Sequence, residues 1–203
     1  AKPKWLGLEN EMKLVGRGVS TCATCDAAFY KGKKVAVVGG GDTAMEEASH
    51  LSKFASEVVI IHRRDTFRAS KAMQERVFGI KNISYIWESE VLNYLEKDSN
   101  GEKILGGIQI KNLKSNTLSE LTIDGIFLAI GHEPQTSIFN GIEKNEMGYI
   151  KPTAESIVKT NVEGVFVCGD AEDYKYRQAI VAAGSGCMAA IEAEHYLNTL
   201  KSL

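Results

Sequence analysis

Long apolar runs are missing from this chain, and none approaches the ~18 residues that would cross a bilayer. One-sided charge is missing too. Lys and Arg number 24 against 26 Asp and Glu, a net charge of -2, which leaves no footprint for nucleic acid or an anionic membrane. Cysteine is scarce: four in 203 residues do not make a disulfide scaffold. A Cys-x-x-Cys in such a chain reads as cytosolic redox chemistry, so a cytoplasmic protein is expected. The four histidines are scattered, and Cys168 and Cys187 lack metal-ligand spacing, so no metal site is expected. Both of these cysteines are expected as buried hydrophobes. No internal repeat or low-complexity tract appears, no signal peptide is expected, and the sequence does not begin with Met. The chain is therefore expected to be processed or a fragment. With 44% hydrophobic and 25% charged residues, it has the composition of a soluble globular protein.

What is present begins with Cys22-Ala23-Thr24-Cys25-Asp26. Cysteines three apart can close a disulfide if the backbone turns sharply between them. The other use of such a pair is half a zinc site, which commonly needs a second close pair. A redox pair needs one thiol able to attack as thiolate and a proton source for the leaving sulfur. Asp26 is placed to be that acid.

From Lys33 the texture changes to Lys-Lys-Val-Ala-Val-Val, which suits a strand buried on both faces of a parallel sheet. Gly39-Gly40-Gly41 follows, then a helix capped by Asp42 and Thr43 with Ala44, Met45, Ala48 and Leu51 on its apolar stripe. Val58–Ile61 is a second strand, completing a βαβ unit. A helix over 69–79 and a strand over Ile83–Trp87 come next. Three alternating segments, 91–96, 104–112 and 118–123, predict a three-stranded antiparallel meander. Ile126–Ile130 returns as a buried strand ending at Gly131. Residues 1–20 read as a leading segment with little regular structure, and 131–160 as loop. Val165–Cys168 reads as a short buried strand before Gly169-Asp170, and a long helix runs from about Ala179 to Leu200.

Gly39-x-Gly41-x-x-Ala44 is a dinucleotide fingerprint in its Ala-terminated form. It follows a predicted strand and opens a helix, as the motif requires. An NAD site usually carries Asp or Glu about 20 residues on, bonding the ribose 2′-OH. Here His62-Arg63-Arg64 stands at that place, with Arg68 beyond. Guanidinium groups pair a phosphate by parallel charge-assisted bonds, so these residues point to a 2′-phosphate and hence NADPH. Asp42 sits near the pyrophosphate with the wrong charge. A nicotinamide gives up a hydride while thiols react as thiolates, and a flavin usually joins the two. No second glycine fingerprint is visible, but Gly169-Asp170 could be the last piece of a second dinucleotide domain.

These motifs together resemble the low-molecular-weight, bacterial-type thioredoxin reductases. The resemblance is carried by Cys22-Ala-Thr-Cys25-Asp26, by Gly39-Gly-Gly41-Asp42-Thr43-Ala44-Met-Glu46 and by His62-Arg63-Arg64 with Arg68. Ala129-Ile-Gly131-His132-Glu-Pro134, Val165-Phe-Val-Cys-Gly169-Asp170 and Arg177-Gln178-Ala179 complete it. It spans nearly the whole chain. It implies an α/β fold with a Rossmann-like NADPH domain over 9–131 that carries the redox cysteines. Residues 1–8 and 132–203 would be parts of a related FAD domain whose N-terminal segment this sequence lacks.

The implied path runs from NADPH to FAD, to the Cys22–Cys25 disulfide, and on to thioredoxin. In it Cys25 faces the flavin, Cys22 attacks the substrate and Asp26 shuttles the proton. The family also implies a homodimer and domain rotation about hinges near Gly7–Val15 and Gly131–Pro134. For these 203 residues alone, the resemblance predicts no retained FAD and no turnover. The flavin subunit of alkyl hydroperoxide reductase shares this module, and an NADPH-binding module without turnover is a further reading. Ferredoxin–NADP reductases lack the cysteine pair.

Overall fold

The structure is a computed structural model that describes residues 1–201. The chain divides into two units: Pro3–Gly131, and Ala1–Lys2 together with the chain from His132 onward. Residues 3–8 thus belong with the first unit, where the sequence reading assigns them to the second. The reason is packing: Trp5, Leu6 and Leu8 lie against a core cluster of the first unit.

The first unit is built on five parallel strands: β1 (Val19–Ser20), β2 (Lys34–Val38), β3 (Glu57–Ile61), β4 (Ile83–Ile86) and, last in the chain, β8 (Gly125–Leu128). Their order across the sheet is β1-β8-β2-β3-β4. Side chains alternate across a strand, and here both faces are covered. Val35, Val37, Val58, Ile60 and Phe127 enter a core with Ala44, Met45, Ala48 and Leu51 of helix α3 (Asp42–Leu51) and Val77 of helix α4 (Lys71–Phe78). Ala36, Val38, Val59, Ile61, Ile126 and Leu128 enter the other. That double burial explains the unbroken apolar runs; each fully buried Val or Ile stabilises by roughly 1.5–3 kcal/mol.

The second core is closed by the meander of β5 (Ser89–Ser99), β6 (Glu102–Asn112) and β7 (Leu118–Thr122). Val91, Tyr94, Leu105, Ile108 and Ile110 project from it onto the parallel sheet's cluster. The β5–β6 connection is Asn100-Gly101 with φ of 54° and 83°, the positive values that a two-residue type I′ hairpin requires. The first unit is therefore three layers: helices, parallel sheet, antiparallel meander. The leading segment is more ordered than the sequence suggests, since Glu11–Leu14 makes a helical turn, α1, and β1 joins the sheet edge.

In the second unit the segment from 134 to 168 is held by side-chain turns, as where Asn145 accepts from the N–H groups of Met147 and Tyr149. Helix α5 (Ala179–Lys201) closes the described chain. Two expectations fail here. Val165–Cys168 forms no strand element; Phe166 makes only an isolated bridge to Lys159. An interior parallel strand needs neighbours on both edges, and among the described residues this segment pairs on one. Cys168 and Cys187 are exposed rather than buried, because α5 buries little: Ile180 is 80% exposed, and Val181, Met188 and Ile191 are exposed with it. Among the described residues no helix is long and apolar enough to cross a membrane.

Candidate functional site

Cys22 and Cys25 form a disulfide with Cα atoms 5.3 Å apart. The backbone turn that the spacing demands is the short helix α2 (Ala23–Asp26), which starts directly after β1 with Cys22 as its cap. Ala23 and Ala27 are buried in the helical-layer core and anchor the turn. Cys22 is half-buried and Cys25 exposed.

Ser20, a residue the sequence reading passes over, organises the acid. Its hydroxyl donates to Asp26 Oδ2 at 2.7 Å and accepts from the Cys22 N–H at 3.1 Å. Asp26 is thereby fixed to the backbone that carries the first cysteine. Tyr30 lies below, its phenol pushed up by burial, then by the charges of Asp26 and Asp124. In a strand of only two residues, Val19–Ser20, no sequence periodicity marks Ser20 as inward-pointing.

The glycine turn joins β2 to α3, and its members differ. A Cβ on Gly39 would lie 2.5 Å from the Ala129 carbonyl and 2.8 Å from Ala44 Cβ, so Gly39 and Ala44 together permit the close strand–helix approach. A Cβ on Gly40 would lie 2.2 Å from the His62 ring. On Gly41 it would meet nothing, leaving that face open to a ligand. Gly40 O also accepts from the N–H groups of Arg68 and Ala69, which ties the arginine loop to the turn.

Asp42 does not cap α3 as expected. Gly41 occupies the cap, and Asp42 Oδ1 accepts from the Ser70 N–H at 2.8 Å and the Ser70 hydroxyl at 2.9 Å. The carboxylate is drawn to the start of α4 because two donors wait there. Thr43 is half-buried and Glu46 exposed on α3.

A cavity of about 480 Å³ opens at the carboxyl ends of β2 and β3. Gly39, Gly40, His62, Arg63 and Arg68 line it, with Leu6, Leu8 and Ile130 on its apolar side. Arg64 instead faces a shallower depression of about 290 Å³ with Arg63, Glu88 and Lys114. The three guanidinium groups are exposed, whereas His62 is buried and its Nε2 lacks a hydrogen-bond partner. Burial foremost, with Arg68 and Arg64, holds the imidazole below its ordinary range against hydrogen bonds that raise it. Gly41, Asp42, Thr43, Ala44, Glu46 and Gly131 do not line the cavity.

In the second unit, Gly169 has φ 63° and donates its N–H to Ser185 Oγ on α5. Asp170 is half-buried, 3.6 Å from the Ala1 amino group. Asp173, not singled out from sequence, accepts from the N–H groups of Lys175, Tyr176 and Arg177. Burial pushes its carboxyl up, but these three donors and Arg177 outweigh that and hold it low. The loop carrying Arg177 and Gln178 into Ala179 is thus shaped by one aspartate. His132 is held below its ordinary range by burial and Arg177, outweighing Asp170.

The family described as pyridine nucleotide-disulphide oxidoreductase matches residues 1–186. The chain is 53% identical over 196 residues to a thioredoxin reductase of Streptomyces coelicolor, covering 96% of this chain and 59% of that protein. It is 51% identical over 189 residues to thioredoxin reductase 2 of Arabidopsis thaliana, covering 92% and 49%. The structure is similar to thioredoxin reductase from Giardia duodenalis, with TM-score 0.87, 43% identity, and coverage of 97% of this chain and 63% of that one. It is also similar to that from Streptococcus pyogenes, with TM-score 0.88, 34% identity, and coverage of 98% and 63%. The chain thus spans about three fifths or less of the length of these relatives. A glycine turn opening a helix, an arginine loop tied to that turn, a short helix closed by the Cys22–Cys25 disulfide in the same unit and this match over most of the sequence agree: the chain belongs to the pyridine nucleotide-disulphide oxidoreductase family.

Proposed function

We propose that this chain binds NADPH and carries the redox-active disulfide of a thioredoxin–disulfide reductase. The observation that carries the reading is the cavity of the first unit. One backbone knot, Gly40 O with Arg68 N–H and Ala69 N–H, joins the glycine turn to the arginine loop, and the disulfide sits in the same unit.

The open side of Gly41 and the N–H groups of the first turn of α3 suit a pyrophosphate. Arg63 and Arg68 in the cavity, with Arg64 beside it, suit the 2′-phosphate. His62 lines the same cavity between the glycine turn and the arginines. Ala44 holds helix to strand, Thr43 and Glu46 flank the first turn, and Gly131 ends the unit.

For FAD the described residues fit in part. Gly169, Asp170 and the Arg177-Gln178-Ala179 run suit ribityl or phosphate-linked hydroxyls, but the chain's glycine fingerprint is already used by the first unit. A flavin, when bound, takes a hydride from the nicotinamide and passes two electrons to a disulfide. Reduction of Cys22–Cys25 consumes two electrons and two protons. The thiolate of Cys22 attacks the thioredoxin disulfide, Cys25 resolves the mixed disulfide, and Asp26, held by Ser20, moves the proton. The reading carries with it a cytoplasmic homodimer.

The test is titration with NADPH and NADH, then thiol counting and an NADPH-oxidation assay with thioredoxin. The expected result is NADPH preference and two new thiols at positions 22 and 25 on reduction. Equal affinity for both nucleotides, or thiols that fail to pass electrons to thioredoxin in the full-length protein, would count against it.

A further inference from the structure

Glu11 lies in the one-turn helix α1, and its side chain is buried, only 3% exposed. A buried carboxylate is costly unless donors replace its water. Three donors do so. The Leu6 N–H at 3.1 Å and the Tyr94 hydroxyl at 2.6 Å share Oε1, and the Gly7 N–H at 2.8 Å takes Oε2. Tyr94 comes from β5 of the meander and is itself buried. Burial foremost, then the bond and charge of Glu11, raise its phenol far above its ordinary range, so it stays a donor throughout the working pH range. Gly7 has φ 76°, a backbone that other residues rarely adopt, and its neighbours Leu6 and Leu8 both line the nucleotide cavity.

The same carboxylate therefore ties the meander to the segment that walls the cavity. We propose that Glu11 and Tyr94 are positioning residues for the nucleotide: they hold the Leu6–Leu8 segment as one wall of its cavity, so that occupancy and the setting of this segment are coupled. The proposal rests on the nucleotide reading given above. Coupling of this kind is reciprocal. A nucleotide that packs on Leu6 and Leu8 must tighten the Leu6 and Gly7 bonds to Glu11, and loosening those bonds must weaken the nucleotide.

The test compares Glu11→Gln, Tyr94→Phe and their double variant with Ile83→Val, a buried change in the helical-layer core, the cluster that does not hold Tyr94. NADPH affinity, melting temperature and amide exchange at Leu6 and Gly7 are measured in each. In the unmodified protein, NADPH should slow exchange at Leu6 and Gly7. Each single variant should weaken NADPH by about three- to tenfold, the net worth of about one ordinary hydrogen bond, since only part of the lost bonding reaches the cavity wall. The double variant should cost no more than about the larger single, because the two share one network. Ile83→Val should lower the melting temperature and leave the affinity unchanged. Tyr94→Phe keeps both backbone donors on Glu11, so it remains informative if Glu11→Gln does not fold. Affinities in the Glu11 and Tyr94 variants equal to that of Ile83→Val, or exchange at Leu6 and Gly7 indifferent to NADPH, would overturn the proposal alone. An unmodified protein that binds no nucleotide would overturn the reading of the site and this proposal with it.

Discussion

At the scale of single residues, the arginines and glycines make distinct demands. Arg63 lines the main cavity and Arg64 the adjoining depression. Changing both to Ala should weaken NADPH by about a hundredfold or more, at ~1.5–3 kcal/mol for each charged contact, and leave NADH nearly untouched. Isothermal titration with the two nucleotides checks this. Gly39→Ala presses a methyl against the Ala129 carbonyl, which is backbone and cannot swing aside. It should cost about 1–3 kcal/mol of stability and open the turn, read as a lower denaturation midpoint.

His62 adds a pH dependence. Its folded pKa lies below its unfolded value, so the unfolded chain binds the extra proton first. Its share of stability is complete above about pH 6.5 and is lost as pH falls below that. His132 and His50, also held low by burial, add in the same sense. Denaturant midpoints should drop between about pH 6.5 and 5, and His62→Gln should flatten the slope. An unchanged slope in that variant would remove His62 from the account.

At the scale of elements, strands were legible where burial on both faces wrote an unbroken run, as in Val35–Val38 and Val58–Ile61. The meander was legible from alternation and from Asn100-Gly101. Its strands run longer than the alternation implies because register shifts at Val91/Asn93 and Leu95/Glu96 break the pattern without ending the pairing. What escaped was set by partners distant in sequence. Asp42 reads as a cap until Ser70 supplies two better donors. Ser20 is an ordinary serine until Asp26 and the Cys22 N–H converge on it. Cys168 and Cys187 read as core residues because sequence gives residue type and not coverage.

Helix α5 shows the same limit, and its exposed apolar side has a measurable effect. In the 203-residue chain, Ile180, Met188 and Ile191 should bind an apolar dye and promote association. Changing all three to Ser should reduce both, with helicity retained since those side chains touch little. Sedimentation and dye fluorescence check the pair of effects.

For the molecule as a whole, the first unit is continuous from Pro3 to Gly131 and owns both of its cores. Expressed by itself, it should fold, form the Cys22–Cys25 disulfide and bind NADPH within about threefold of the longer chain's affinity, a margin under 1 kcal/mol. A disordered or nucleotide-blind product would show that the two units depend on each other. Heating the 203-residue chain should then give two transitions, only the upper of which rises with added NADPH.

In the parallel sheet the strand that leads into the disulfide turn lies at the edge and pairs with β8: Val19 lies beside Ile126, and Ser20 beside Phe127. During synthesis, then, the two cysteines leave the ribosome early but gain their sheet neighbour only after roughly a hundred further residues have been added. Contacts that distant are slow to close. In a refolding experiment, the fluorescence of Trp87 beside β4 should recover before Cys22 and Cys25 lose their reactivity towards a thiol probe under reducing conditions. For that interval the nascent chain exposes a reactive dithiol without its Ser20–Asp26 setting, which makes this turn the step at which oxidative misfolding would begin.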